Sequence, residues 1–396
     1  MHCLSFLIVG ILVFFSFCSH SVDNPLLIIV LMVKNEAPVI ASTLESYIGN
    51  RDVGYFIFDT GSTDDTIERV EIFFRDHSIE QYALAREPFV DFATSRNRGL
   101  RLAEQRFPYA RFLLMPDAEW HLSGLDRLVE FCRQEKYSYH PAYLVDIHAC
   151  GIDFTTPRLI RTHRDVRFEG VVHEIIATTG VKAPQEVRFD MIGTEYGGEK
   201  TRKRWVRDAE LLLKHFQENP NDSRTAFYLA QTYHCLDDLE NAQKYYEIRS
   251  TLAGWGEENF MTWYRLGQVL ESRAEHEENE AFWYYAQNCY LKAYSIRPER
   301  AESLVKLAEH YIKDDAPLAY LFAKHAVEIP YPDKDILFLE KERYRYTVHD
   351  LLGIASWYMR NYDLGKESVK KAIQARGKLP HLVRNLSLYE EALIKN

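Results

Sequence analysis

The chain reads as an α/β domain on a mostly parallel sheet, followed by an all-helical repeat domain, on three observations. Continuous apolar and β-branched runs of strand length recur in the first half, each giving way to a polar turn and then to helical periodicity. Beyond Gly197-Gly198 that alternation stops and the apolar spacing is helical almost throughout. A leucine followed by a small residue then recurs at Leu229-Ala230, Leu266-Gly267, Leu307-Ala308 and Leu352-Gly353, as expected where stacked helices approach closely.

The first βα unit is Leu26 to Val33, followed by Lys34-Asn35-Glu36 and a helical pattern through Tyr47. The second strand, Tyr55 to Phe58, runs into Asp59-Thr60-Gly61-Ser62-Thr63-Asp64-Asp65-Thr66. Asp59 therefore emerges at the carboxyl end of a strand, where open α/β sheets place their ligand crevices. Gly61 permits the turn, and Thr63 or Asp64 caps the next helix. A third strand, Arg111 to Met115, runs into Pro116-Asp117-Ala118-Glu119-Trp120. In extended backbone, residues two apart project to one side, so Asp117 and Glu119 are expected to face one hard divalent cation. Such an ion would neutralise a diphosphate leaving group.

Val33-Lys34-Asn35-Glu36, Asp59 to Thr66, Glu87 to Asn97 and Asp117-Ala118-Glu119 follow one another in a particular order and spacing, and Pro157 to Arg161 and Arg167 to Glu174 extend the series. In these blocks the chain, from about Pro25 onward, resembles the family 2 glycosyltransferases of the Rossmann-like GT-A fold, in the subgroup that carries tetratricopeptide repeats behind the catalytic domain. The resemblance implies transfer of a sugar from a nucleotide-sugar donor, a UDP-sugar, to a glycan, lipid-linked or peptide/protein acceptor, with inversion and with Mn2+ or Mg2+ as cofactor. Position by position it implies that Val33 and Glu36 border the nucleobase, that Asp59 contacts base or ribose, and that Arg96 approaches the nucleotide. It assigns Asp117 to ribose or metal, Glu119 to the metal, and His173 as a further metal ligand. Glu174 is the implied general base, a role worth ~10²–10⁴ in rate.

The chain departs from that family at Glu119, where a second Asp is usual, at Trp120, where a further acid stands, and at Pro116, which replaces an apolar residue. The alternative is a degenerate transferase acting as a nucleotide-sugar-binding or repeat scaffold protein. Asp59 has a plainer reading as a turn residue, and His173 as a structural histidine. Arg158, Arg161, Arg164 and Arg167 read either as bidentate diphosphate or acceptor contacts or as ion-pair partners of Glu174, and Arg96 and Arg98 share that choice.

The expected organisation is an apolar segment over 1–22, an α/β domain over 23–199 and a helical domain over 200–396. In the helical part each Leu-small pair is followed by a second helix carrying Ala242, Ala286 or Ala319, and Pro298, Pro330 and Pro380 stop second helices. The pitch exceeds the ~34 residues of a tetratricopeptide repeat, which predicts insertions around Glu275 to Glu280 and Tyr331 to Arg343. Tyr228, Tyr233, Trp263, Tyr264, Trp283, Tyr284 and Tyr285 are mostly core. The remainder would hold a glycan or peptide acceptor, with self-association through the repeats as the rival use.

At 396 residues the chain exceeds what one hydrophobic core supports, consistent with two domains. A formal net charge of −10 excludes a nucleic-acid partner held by phosphate contacts, and Lys200-Thr201-Arg202-Lys203-Arg204 reads as a solvated helix start. Cys132, Cys150, Cys235 and Cys289 are scattered and give neither a disulfide framework nor a zinc spacing. Cys3 to Cys18 is a mostly apolar run resembling a signal-peptide core, which predicts membrane association or a secretory route, with a cytoplasmic location as the alternative.

Overall fold

A computed structural model describes residues 24–149, 151–170, 172, 174–176, 180–191 and 197–395. The chain divides into two compact units, Met1–His148 with Thr155–Ile192 and Ala149–Phe154 with Gly193–Asn396.

The first unit alternates strand and helix: β1 (Leu27–Val33), α1 (Ile40–Glu45), β2 (Val53–Asp59), α2 (Thr66–Asp76), β3 (Tyr82–Arg86), α3 (Phe92–Arg106), β4 (Phe112–Leu114), β5 (Trp120–Ser123), α4 (Leu125–Gln134), β6 (Ala142–Ala149), β7 (Ile152–Arg161) and β8 (Arg188–Met191). The strands lie in the order β3-β2-β1-β4-β7-β6-β8-β5. The stretch β3-β2-β1-β4 is parallel, whereas β7 runs antiparallel to β4 and β8 antiparallel to β5. The sheet is therefore mixed, with the expected parallel pairing in β3-β2-β1-β4 and antiparallel pairing beyond β4. The antiparallel half is built from strands whose side chains are partly polar, such as His121, Ser123 and Asp190, and these give no continuous apolar run to read.

All of β2 and nearly all of β1 are buried, as a strand covered on both faces requires. On one face Ile28, Val30, Phe56, Phe58 and Leu113 pack with Leu100 and Ala103 of α3. Helix α3 lies close there because it carries Gly99, where a Cβ would come within 3.2 Å of the Phe58 ring. The order of parallel strands reverses between β1 and β4, so ligand-binding loops are expected at the carboxyl ends of β1, β2 and β4.

The second unit is helical: α5 (Gly197–Glu218), α6 (Ser223–Cys235), α7 (Leu239–Thr251), α8 (Gly256–His276), α9 (Glu280–Ile296), α10 (Glu302–Tyr311), α11 (Ala316–Ala326), α12 (Val348–Tyr358), α13 (Tyr362–Arg376) and α14 (Pro380–Lys395). Asp222, Asp238, Asn279, Asp315 and Asn361 cap α6, α7, α9, α11 and α13 by accepting from first-turn amides. Each helix packs on the next. The Leu-small pairs fall on α6, α8, α10 and α12 and are buried. A Cβ at Gly267 would meet Tyr290 of α9 at 2.6 Å, and one at Gly353 would meet Val369 of α13 at 2.8 Å, so the small residue sets the spacing within each pair.

Two sequence expectations change. No loop is inserted near Glu275 to Glu280; the extra pitch comes from longer helices, 21 residues in α8 and 17 in α9. Pro380 opens α14, a position where its missing N–H is not needed, and α13 has already ended at Gly377. The Tyr331 to Arg343 segment is a connection without helix as far as Glu340; helix begins at Lys341 and leads into the π-helical turn at Arg343–Thr347.

The expected membrane association is corrected: among the described residues no helix is long and apolar enough to cross a membrane. The longest, α5 and α8, carry charged residues along their length. The apolar run of residues 1–22 on which that expectation rested lies outside the described residues.

The helical unit is expected to weaken in acid. Burial lowers the imidazole pKa of His234, His310 and His349, with His234 brought to about 4. An unfolded histidine takes up its proton near pH ~6.5, so between these values the unfolded chain binds more protons and stability rises with pH. His234 keeps part of its surface in water, and its contribution, lost as pH falls from ~6.5 to 4, is about 1–3 kcal/mol. Melting temperature should climb from pH 4 to 7, less steeply in His234→Gln; identical slopes in the two chains would refute the assignment.

Candidate functional site

The loops after β1 and β2 are sewn together by side chains that the turn sequence supplies. Asn35, held at a left-handed φ of 56°, donates its amide to Ser62 Oγ (3.0 Å) and accepts from the Thr63 amide (2.8 Å). The Glu36 amide donates to Thr66 Oγ1 (2.8 Å), and Val33 O accepts from the Thr60 amide (2.9 Å). Asp64 accepts from Thr66 and Ala37; against the upward push of burial, these hydrogen bonds hold its carboxyl below the usual carboxylate range. Val33 and Asp59 are paired across β1 and β2. The buried Asp59 carboxylate is aligned by its own turn, Oδ1 accepting from the amides of Gly61 (3.1 Å) and Ser62 (2.8 Å). Its Oδ2 lies 3.0 Å from Arg86 Nε, within ion-pair range, but is buried without an aligned hydrogen bond.

A buried quartet of charges stands beside the end of β4. Arg96, near the start of α3, donates Nε to Glu174 Oε1 and Nη2 to Asp117 Oδ1 (2.5 Å). Arg158 of β7, whose carbonyl accepts from the Met115 amide, brings Nη2 to 3.8 Å from Asp117 and Nη1 to 3.9 Å from Glu174. Glu174 is positioned by a bridge between Glu169 and Ile175, and Phe168 by reciprocal bonds with the Asn97 amide group. Only Asp117 opens to solvent, at 32% side-chain exposure against 5–8% for the other three.

The two arginines differ. Burial opposes the charge of Arg96, but Asp117 and Glu174 outweigh it and hold its pKa above the ordinary arginine value. For Arg158, burial and then the neighbouring Arg96 push the pKa down, against Asp117 and Glu174. Its guanidinium lies over the Trp120 ring at 4.8 Å and the Phe168 ring at 5.5 Å, while Nε and Nη1 are buried without a hydrogen-bond acceptor. A buried donor left unsatisfied costs about 1–3 kcal/mol, of which cation–π contact returns up to about 2 kcal/mol.

The expected carboxylate pair is not built as a strand. Asp117 to Trp120 form a turn closed by the Trp120 amide donating to Asp117 O (3.1 Å), so the extended-backbone rule on which the pairing of Asp117 and Glu119 rested does not apply here. The turn is pinned by Thr43, whose hydroxyl donates to Ala118 O (2.6 Å), and by Tyr47, donating to Trp120 O (2.6 Å). Burial, then the Asp117 charge, raises the Tyr47 pKa well above the ordinary tyrosine value and keeps it a neutral donor. Asp117 already faces two guanidiniums, and among the described residues no group of three His, Cys, Asp or Glu is placed to hold a metal ion. The described residues alone do not complete a divalent-metal site. His173 lies outside the described residues.

Of the residues singled out in the sequence, Arg96, Asp117 and Glu174 come together in one cluster, and Val33, Glu36 and Asp59 in the adjoining loop pair. Arg158 joins the cluster, whereas Arg161 donates to the carbonyls of Glu135, Lys136 and His140 and is structural. Arg98 pairs with Glu87 and Arg167 with Asp165. Sequence reasoning missed Trp120 and Phe168, the rings around Arg158; their only signal was adjacency to the acidic and arginine-rich blocks.

No protein-family model and no curated protein matches the chain. Solved structures similar to it include a mannosyltransferase from Pyrobaculum calidifontis in complex with GDP-Man and Mn2+, at 15% identity and a TM-score of 0.37, covering 67% of this chain and 86% of that one. The C-terminal part of a TPR repeat-containing protein from Cytophaga hutchinsonii is 16% identical at a TM-score of 0.38, covering 50% of this chain and 69% of that one. YrrB, a TPR protein with an unusual peptide-binding site, is 16% identical at 0.36, covering 48% and 86%.

Proposed function

We propose that the first unit is a nucleotide-sugar-dependent glycosyltransferase using a UDP-sugar donor, with a glycan, lipid-linked or peptide chain as acceptor. The observation that supports it most is the convergence of Val33, Asp59 and Asp117 at the ends of β1, β2 and β4, flanking the reversal of strand order. In this reading the buried Asp59 Oδ2 accepts from the base or ribose, Val33 and Glu36 border the base, and the charge quartet lies toward the diphosphate. Glu174 is the candidate general base, and serving in that role requires its bond to Arg96 to open as the acceptor enters. Sugar transfer by single displacement would form the bond from the acceptor oxygen to the anomeric carbon as the anomeric C–O bond to the diphosphate breaks, the nucleoside diphosphate leaving and the acceptor proton passing to that carboxylate. The exposed Tyr284 and Tyr285 of α9 are the candidate acceptor contacts in the helical unit.

Titrating the full chain with UDP and GDP tests the reading, followed by assays of donor hydrolysis and transfer. Asp59→Ala should weaken UDP by ~10-fold or more, the loss of a hydrogen bond to a charged group, and its intact melting transition would separate binding from folding. Absence of nucleotide binding to the wild-type chain would sink the proposal. A second reading, a nucleotide-sugar-binding protein without turnover, draws on the engagement of both Asp117 and Glu174 by Arg96; tight binding with neither hydrolysis nor transfer would select it.

A further inference from the structure

We propose that the donor diphosphate displaces Asp117 from Arg96 and Arg158 and is held by these two guanidiniums without a divalent cation. The inference rests on the reading of the first unit as a nucleotide-sugar site. The quartet sums to zero charge, so it is neutral only while Asp117 stays in it; when that carboxylate leaves, one positive charge remains for an anion to meet. Asp117 is the most solvent-accessible member, keeping a third of its side-chain surface in water, whereas Glu174 is 6% exposed and stays on Arg96 Nε while the donor binds, before any acceptor enters. Its departure releases Arg96 Nη2, while Arg158 already carries two buried N–H groups with no acceptor. Trp120 and Phe168 fix the plane of Arg158, and a planar guanidinium fork matches phosphate oxygens bidentately. A cation at the same place would instead confront both guanidiniums, Arg96 Nη2 at 2.5 Å and Arg158 Nη2 at 3.8 Å from Asp117.

Calorimetric titration of the full chain with UDP and UMP, in EDTA and in MnCl2, tests this. UDP should bind within about twofold equally in both buffers, and UMP more weakly. Arg158→Gln should weaken UDP by ~10–100-fold, the loss of charge-assisted hydrogen bonds. Asp117→Asn should bind UDP as tightly as the wild type or tighter, because the internal competitor has lost its charge. This variant decides the matter if Arg158→Gln fails to fold. Binding that needs manganese and disappears in Asp117→Asn would overturn the arginine assignment and leave the glycosyltransferase reading standing. No binding of UDP, UMP or GDP in either buffer would overturn both.

Discussion

Arg96→Met should lower the stability of the first unit by about 3–5 kcal/mol, the cost of leaving a buried charge without its partner. The guanidinium is 5% exposed and is hydrogen-bonded to both Asp117 and Glu174. Without it the ion-pair partner of Glu174 (6% exposed) among the described residues is Arg158 at 3.9 Å, too far for a hydrogen bond. The chain has two units and need not unfold in one step, so amide exchange resolved by segment is the proper measure. Protection should fall at the Phe168 amide, bonded to Asn97 on the same helix as Arg96, and at Glu169 and Ile175, whose bridge presents Glu174. Adding Glu174→Gln and Asp117→Asn to Arg96→Met should recover part of the loss, because the stranded charges are gone. Unchanged exchange at these amides in Arg96→Met would show that the quartet does not hold this region together.

What could be read from the sequence was what local pattern determines. The β1 and β2 runs are continuous because both faces are covered, and Asp59 was found because a strand end followed by Gly and Ser leaves little choice of geometry. The repeat of small residues after leucine pointed correctly to close helix pairs, and Gly267 and Gly353 show why, since neither site has room for a Cβ. Pairings across long stretches of sequence were not legible. Arg96 and Glu174 are 78 residues apart and Arg96 and Asp117 are 21 apart, so no spacing rule joins them. The carboxylate pair was read with a two-residue rule that assumes extended backbone, whereas β4 ends at Leu114, three residues before Asp117. Pro116 stands between that strand and the turn.

In the helical unit Arg300→Met should be the most damaging single change on polar grounds, at about 3–5 kcal/mol. Arg300 and Glu302 are both fully buried and form a two-pronged pair, Nη2 to Oε1 at 2.6 Å and Nε to Oε2 at 3.2 Å. The same guanidinium donates to Leu337 O and Phe338 O, each at 3.0 Å, and lies 4.3 Å from the Phe260 ring. It thus ties the connection after α11, where Phe338 adopts a left-handed φ of 50° that a bulky side chain rarely takes without support. The amides of Ile336 and Leu337 are held on Glu257 Oε2, both at 2.8 Å, and that of Leu339 on Asp153 O at 2.7 Å. Exchange of these three amides should therefore accelerate before that of the helices. The double change Arg300→Met with Glu302→Leu separates two origins of the loss. If the stranded Glu302 charge accounts for all of it, the second substitution restores wild-type stability. The geometry requires an incomplete rescue, because the carbonyls of Leu337 and Phe338 stay buried without their donor, and full recovery would show that Arg300 does not hold this connection in place.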